Sequence, residues 1–252
     1  MRPIPESYLS PARQPGSVVR LDYGKKYALM YTPTAPADRI LYLIHGGGGD
    51  QHAFFCPAFL NMIDHMIASG ELRPLYIVAP CFYGPEATDK RPAASGEAVA
   101  VFCDELRHQI LPLAEQSTGR TFDRGQRVIS GFSMGGVTTW YAFLQALDLF
   151  ERFLPLSGDC WACGETGGGK YPDATAAKLA EALRAQGNLP FRIHCVTGSQ
   201  DIACPNITPQ IEAMRKYPEF GEDVMRYTVY DGGVHDYETI FMYLFNVLEE
   251  ML

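Results

Sequence analysis

From residue 40 to the C-terminus, short apolar runs of strand length alternate with longer segments whose apolar residues recur at helical spacing. Strands are read over 40–44, 75–79, 126–130, 153–156, 191–196 and 225–230. Helices are read over 53–69, 97–116, 174–186, 208–216 and 237–252, with another opening at Val137. Strands separated by helices pair in parallel through right-handed crossovers, which puts helices on both faces of one sheet. Ahead of this pattern, 18–22 and 27–31 read as an antiparallel pair of edge strands before a polar turn over 32–38, and 1–16 as an extended lead-in. The expected fold class is α/β, a mostly parallel central sheet with helices on both faces. Ligands of such sheets bind outside the carboxyl ends of the strands.

The bulk properties narrow the function. A chain of 252 residues, 47% of them hydrophobic, can bury roughly three quarters of its unfolded surface in one core without staples or metals. A single domain over 1–252 is therefore expected. No apolar stretch approaches the ~18 residues that a membrane span needs, and no membrane partner is expected. A formal net charge of -8, with no lysine and arginine run interleaved with aromatics, argues against nucleic acid. Residues 1–10 carry Arg2 and Glu6 but no apolar leader region, so no secretory signal is expected within this chain. Cys56, Cys81, Cys103, Cys160, Cys163, Cys195 and Cys204 are odd in number and irregular in spacing, which does not suit a disulfide framework. Cys160 and Cys163 form a C-x-x-C, but no second ligand pair stands at zinc spacing, so coincidence is the simpler reading. Asn206-Ile207-Thr208 matches a glycosylation acceptor, which has meaning only on a eukaryotic secretory route.

Chemistry enters at Gly131-Phe132-Ser133-Met134-Gly135, a G-x-S-x-G run between the strand ending at Ser130 and the helix opening at Val137. At a strand-to-helix elbow, side chains at the flanking positions would clash, so glycines there leave a serine hydroxyl exposed on a strained turn. The five-residue pattern is weak alone, and its position gives it weight. His45-Gly46-Gly47-Gly48-Gly49 follows the first strand of the alternation, where a glycine-rich loop can bring backbone close to a substrate carbonyl. We assign the two oxyanion donors to Met134 N–H and Gly47 N–H. His235 lies on a loop between the last strand and the last helix. The acid should follow a strand and precede the histidine. Asp201 fits best, and Asp159 is the rival, because it also follows a strand. Asp231 and Asp236 lie too near His235 along the chain to hold its ring from another strand end.

Two further segments read as cleft walls. Residues 157–171 hold Gly158, Gly164, Gly167, Gly168 and Gly169 around Trp161, a poor composition for either helix or strand. Residues 81–95, with Phe82 and Tyr83, are the second. Trp161 could stack on an aromatic or sugar substrate or fill core. His52, His65, His108 and His194 fall in or beside regular elements and read as structural.

The runs Leu43 through Gly49, Gly131 through Trp140, Leu156-Ser157-Gly158-Asp159, Thr197 through Ala203 and Gln210 through Met214 resemble the feruloyl esterases of carbohydrate esterase family one, above all the esterase domains carried by bacterial xylanases. The resemblance implies an α/β-hydrolase domain that releases ferulate and related hydroxycinnamates from the arabinose side chains of xylan, with no cofactor or metal. It implies Ser133, Asp201 and His235 as nucleophile, acid and base. It implies Trp161 as a wall of the substrate pocket, and we expect Asp159 and His45 beside the substrate as well. A feruloylated arabinoxylan or oligosaccharide is the implied partner, and a secreted enzyme the implied setting. Relatives carry aromatics where this chain has Cys160 and Cys204, so Cys204 could pair with Cys160 or Cys163 and pin the loop near Asp201. A general acetyl or thioester hydrolase or acyltransferase keeps the same residues with another acyl group. A non-catalytic carbohydrate-binding domain would retain only the fold.

Overall fold

The structure, a computed structural model, describes residues 1–90 and 92–252, with side chains at all of these except 92–94. Strands β1 (Ser17–Tyr23) and β2 (Lys26–Thr32) pair antiparallel. They are followed in the chain by β3 (Ile40–Ile44), β4 (Tyr76–Ala79), β5 (Arg127–Phe132), β6 (Arg152–Leu156), β7 (Arg192–Gly198) and β8 (Met225–Tyr230). Among the described residues the sheet has 8 strands in the order β1-β2-β4-β3-β5-β6-β7-β8. β2 meets β4 antiparallel, and every later pairing is parallel. The sequence placed both of the first strands at the edge; only β1 is there, because β2 is paired on its other side by β4.

Helix α1 (Pro57–Ser69) follows β3, and α2 (Pro92–Glu105) and α3 (Leu111–Thr118) follow β4. Helix α4 (Met134–Gln145) leaves β5, α5 (Gly167–Lys170) and α6 (Pro172–Ala185) leave β6, α7 (Cys204–Met214) leaves β7, and α8 (Tyr237–Val247) leaves β8. Ile40, Tyr42 and Ile44 of β3 pack with Val99, Phe102, Trp140, Phe143, Leu179 and Ile207 on one face. Leu41 and Leu43 pack on the other with Phe59, Met62, Ile63, Phe241 and Leu244 of α1 and α8. Successive side chains of a strand point to opposite faces, so a strand with helices on both sides is apolar at every position. Each such side chain contributes about 1.5–3 kcal/mol when fully buried.

Helix boundaries depart from the sequence reading more than strand boundaries do. The helix expected over 97–116 begins at Pro92 and is interrupted by a π-type turn over Leu106–Ile110. Pro112 has no N–H to give to the carbonyl one turn back, and the wider turn absorbs that mismatch. The helix expected at 208 starts at Cys204, because Pro205 stands in the first turn, where its missing N–H has no partner to lose. The helix expected from 53 starts at Pro57. The last helix ends at Val247, with a single 3-10 turn at Glu249–Met251. The glycine-rich segment 157–171 contains the short helix α5 against expectation, since a Cβ at Gly168 would lie 2.3 Å from Gln210 Oε1. Contact with α7 overrides the poor propensity of three glycines.

The parallel arrangement sends the ends of β3, β5, β6, β7 and β8 to one rim. Helix α4 enters it closest: a Cβ at Gly135 would stand 2.1 Å from the Ile44 carbonyl oxygen. That neighbour is backbone and cannot give way. Gly135→Ala is therefore expected to cost at least about 3 kcal/mol, the upper end of overpacking penalties, read as a lowered denaturant midpoint at unchanged slope.

Candidate active site

Ser133 lies between β5 and α4 with φ 55° and ψ -113°, a conformation that a residue with a side chain rarely adopts. Such strain costs about 1–3 kcal/mol and persists only where the surroundings dictate it. Here Ser133 N donates to the Leu156 carbonyl at 2.9 Å, and the Ser133 carbonyl accepts from Val137 N at 2.9 Å. Trp140, fully buried nearly two turns into α4, donates Nε1–H to the Gly158 carbonyl at 2.9 Å. Two of these bonds tie the elbow to the end of β6 and the loop after it, the third closes the first turn of α4, and the serine side chain faces the cleft.

His235 and Asp201 meet that side chain from two other loops. The Asp201 carboxylate can only accept, so His235 Nδ1 carries the hydrogen and donates to Oδ1 at 2.8 Å. Nε2 is left as the acceptor for the Ser133 hydroxyl, 3.0 Å away. The Asp201 side chain is 0% exposed and that of His235 20%, so the pair stands mostly out of water while the imidazole keeps access to the cleft. Asp201 Oδ1 also accepts from Ala203 N at 2.8 Å, which fixes the carboxylate on its own loop. The loops after β7 and β8 are pressed together, with Ser199 N and Gln200 N donating to the Tyr230 and Gly233 carbonyls at 2.9 and 3.0 Å. A Cβ on Gly198 would lie 2.2 Å from the Gly233 oxygen, so this approach demands glycine. Phe132 packs against the His235 ring at 4.6 Å between centroids.

The glycine loop after β3 forms the opposite wall. Gly47 and Met134 line the cleft next to Ser133. They are neighbours, since a Cβ on Gly47 would lie 3.1 Å from Met134 Cγ. Two tyrosines that the sequence reading did not single out for this purpose hold the loop. Gly46 N donates to Tyr237 Oη at 2.9 Å, and Gly48 N to Tyr83 Oη at 2.9 Å. Tyr83 is steadied in turn by Ser95 at 2.7 Å. The only sequence signals were the place of Tyr237 two residues after His235 and of Tyr83 in the segment 81–95.

His45 departs from expectation. It is 1% exposed and does not line the cleft. Its Nδ1–H donates to the Gly46 carbonyl at 2.7 Å, and Nε2, 3.2 Å from Cys81 Sγ, accepts from the thiol. Burial lowers its pKa to about 4 and raises that of Cys81, so both stay neutral. Stacked on Phe82 at 4.3 Å, this ring supports the loop from behind rather than touching a substrate.

The cleft encloses about 410 Å³. Trp161 and Asp159 both line it, as does Ile202, which is 73% exposed. Asp159, the rival acid, does not reach the histidine: Oδ1 accepts from Trp161 Nε1 at 3.1 Å and Oδ2 from Gly168 N at 2.9 Å. Of the second expected wall, residues 81–95, Ser95 and Lys90 line the cleft, and residue 91 lies outside the described residues. The disulfide considered for Cys204 is not formed, and all its candidate partners are free thiols. Cys160 is wholly buried, and the Cys204 thiol lies 3.7 Å from Thr208 Oγ1 within its own helix.

Sheet order and elbow define the class, an α/β-hydrolase-type serine esterase. Residues 39–247 match the family described as putative esterase, and the chain belongs to that family. Endo-1,4-beta-xylanase Y of Acetivibrio thermocellus is 36% identical over 241 residues, covering 87% of this chain and 21% of the xylanase. The chain thus spans about a fifth of that relative's length. Among solved structures, a mutant of the feruloyl esterase module from Clostridium thermocellum, complexed with sinapinate, superposes with a TM-score of 0.86 at 32% identity, over 99% of this chain and 93% of that one. A CE1 ferulic acid esterase from Anaeromyces mucronatus shares the fold at 17% identity, with a TM-score of 0.77 over 98% and 95%. The resemblance read from the sequence is borne out at the level of family and fold.

Two outcomes follow from the geometry. Tyr83→Phe leaves the Gly48 amide without its partner, which costs about 1–3 kcal/mol. The variant is expected to lose roughly tenfold or more in kcat for any ester, with circular dichroism unchanged. Thiol titration of unfolded, never-reduced protein is expected to count 7 thiols.

Proposed function

We propose that the protein is a feruloyl esterase that releases ferulate and related hydroxycinnamates from arabinoxylan side chains. The observation that carries this reading is the hydrogen-bonded relay from Ser133 through His235 to Asp201 beside a cleft walled by an indole. Its support in acyl preference is the 32% identical esterase module, which holds a hydroxycinnamate. A xylanase acting on the same polymer would supply the feruloylated oligosaccharides.

The steps use only groups in place. His235 Nε2 takes the Ser133 proton as Oγ attacks the ester carbonyl, and the carbonyl electron pair moves to oxygen. Gly47 N–H and Met134 N–H receive that oxyanion, each worth about 3 kcal/mol in the transition state. Asp201 holds the imidazole in the tautomer that accepts at Nε2 and stabilises the imidazolium that forms. Collapse of the intermediate breaks the bond to the sugar oxygen, which takes the proton back from His235. Water then repeats the attack on the acyl-enzyme, with His235 as base, and frees the acid and Ser133.

Ser133→Ala is expected to keep its fold and melting temperature and to lose at least about a thousandfold in kcat on methyl ferulate. Near-native turnover by that variant would end the assignment. Side by side, methyl ferulate and feruloylated arabinoxylan are expected to outpace short aliphatic esters and thioesters in kcat/KM. The reverse ranking would favour a general acetyl or thioester hydrolase.

A further inference from the structure

Trp161 forms one wall of the cleft, and contacts from three directions hold it there. Its Nε1–H donates to Asp159 Oδ1 at 3.1 Å. Its carbonyl accepts from Tyr141 Oη at 3.3 Å. The benzo edge rests on Gly96 of α2, where an added Cβ would lie 3.1 Å from Cε3 and 3.3 Å from Cζ3. Behind the indole lies a second groove, lined by Gly96, Tyr141 and Gly164. The indole is therefore a partition with space on both sides, and what keeps it upright sets the width of the acyl site.

We propose that Asp159 is a positioning residue whose ionised carboxylate clamps the Trp161 indole to α5 as the wall of the acyl pocket, and whose protonation releases that wall. This rests on the feruloyl esterase reading. As carboxylate, Asp159 accepts from the indole with one oxygen and from Gly168 N with the other. Protonated, it carries a hydroxyl on one of them, a poorer acceptor than the carboxylate oxygen, and the bond from the N–H that faces it is weakened. Asp159 is 3% exposed, and burial raises it to about 6 against the hydrogen bonds from the indole, the Gly168 amide and its own backbone and against Lys170, which act the other way. The titratable groups around it are Lys170 from α5, the Cys160 thiol beside it and the Cys195 thiol from β7. Gln210 and Asn206 of α7 are uncharged, and His235, Glu165 and Lys90 share the cleft. The carboxylate form dominates above about pH 6, so affinity for a bulky acyl group is expected to fall as pH drops through that value, while a small acyl group that does not reach the wall is spared.

The chain has 2 tryptophans, so the test can be read on the intact protein. In a nitrogen-15 correlation spectrum one indole N–H resonance, that of Trp161, is expected to titrate with a midpoint near pH 6. The other, from Trp140, which donates to a backbone carbonyl, should stay still. The titration should vanish in Asp159→Asn. Indole resonances that stay fixed between about pH 4.5 and 7.5, or a titration that persists in the variant, overturn the clamp. Kinetics give a second readout: Asp159→Asn is expected to raise KM for methyl ferulate roughly tenfold, with kcat changed less than about twofold and KM for methyl acetate unchanged. Should that variant fail to fold, Gly96→Ala displaces the same indole from the other side. Alanine in place of glycine favours the helix, so its effect is not one of unfolding. Gly96→Ala is expected to give the same split between the two esters. An unchanged split in the folded variants overturns the proposal. A wild-type enzyme with no preference for methyl ferulate over methyl acetate would instead sink the feruloyl reading, and the indole titration would still decide the clamp.

Discussion

The close approach of α4 to the ends of β3 and β6 is the constraint on which the catalytic rim depends. It holds Ser133 at a positive φ, with its amide on the Leu156 carbonyl and Gly135 against the Ile44 carbonyl. The same contact brings Met134 beside Gly47, so Ser133 and the two amides assigned to the oxyanion are set by one piece of packing. The strain stored there, about 1–3 kcal/mol, is offset by burial of α4, whose Trp140 both fills core and bonds the Gly158 carbonyl.

The remaining groups arrive by a different device. Asp201 and His235 are carried on adjacent parallel strands, and the glycine contact between the loops after β7 and β8 lets the two side chains meet at 2.8 Å. Neighbouring strand ends stand about 5 Å apart, which is the span that one carboxylate–imidazole pair bridges. The sheet therefore works as a ruler: β5, β7 and β8 each deliver one group to the rim, and the loops supply only the last few ångströms. Tyr83 and Tyr237 complete the frame by holding the glycine loop at the amides of Gly46 and Gly48.

The strands were legible within one or two residues because burial on both faces writes an uninterrupted apolar run into each, as at Ile40-Leu41-Tyr42-Leu43-Ile44. Helix starts were not. Pro57, Pro92 and Cys204-Pro205 open helices from sequence that reads equally well as turn, and the choice between them rests on packing. The elbow was legible for a steric reason, since glycine at 131 and 135 is demanded by backbone contacts. His45 was misread because a histidine beside a glycine loop has the same local sequence whether it faces the cleft or, as here, the buried Phe82 ring and Cys81. Asp159 was singled out, but its partners, the indole two residues on and an amide nine residues on, depend on a fold of the 157–171 segment that its composition does not announce.

By itself, the amino-acid order determined the alternation of strand and helix, the parallel sheet and the elbow serine, because hydrophobic period and glycine sterics act over a few residues and survive in any window of the chain. That Asp201 rather than Asp159 reaches the histidine, which contacts seat the indole and which tyrosines hold the glycine loop were decided only by the tertiary structure. Hydrogen bonds between loops are chosen by distance in space, and that distance is set by the order of strands in the sheet.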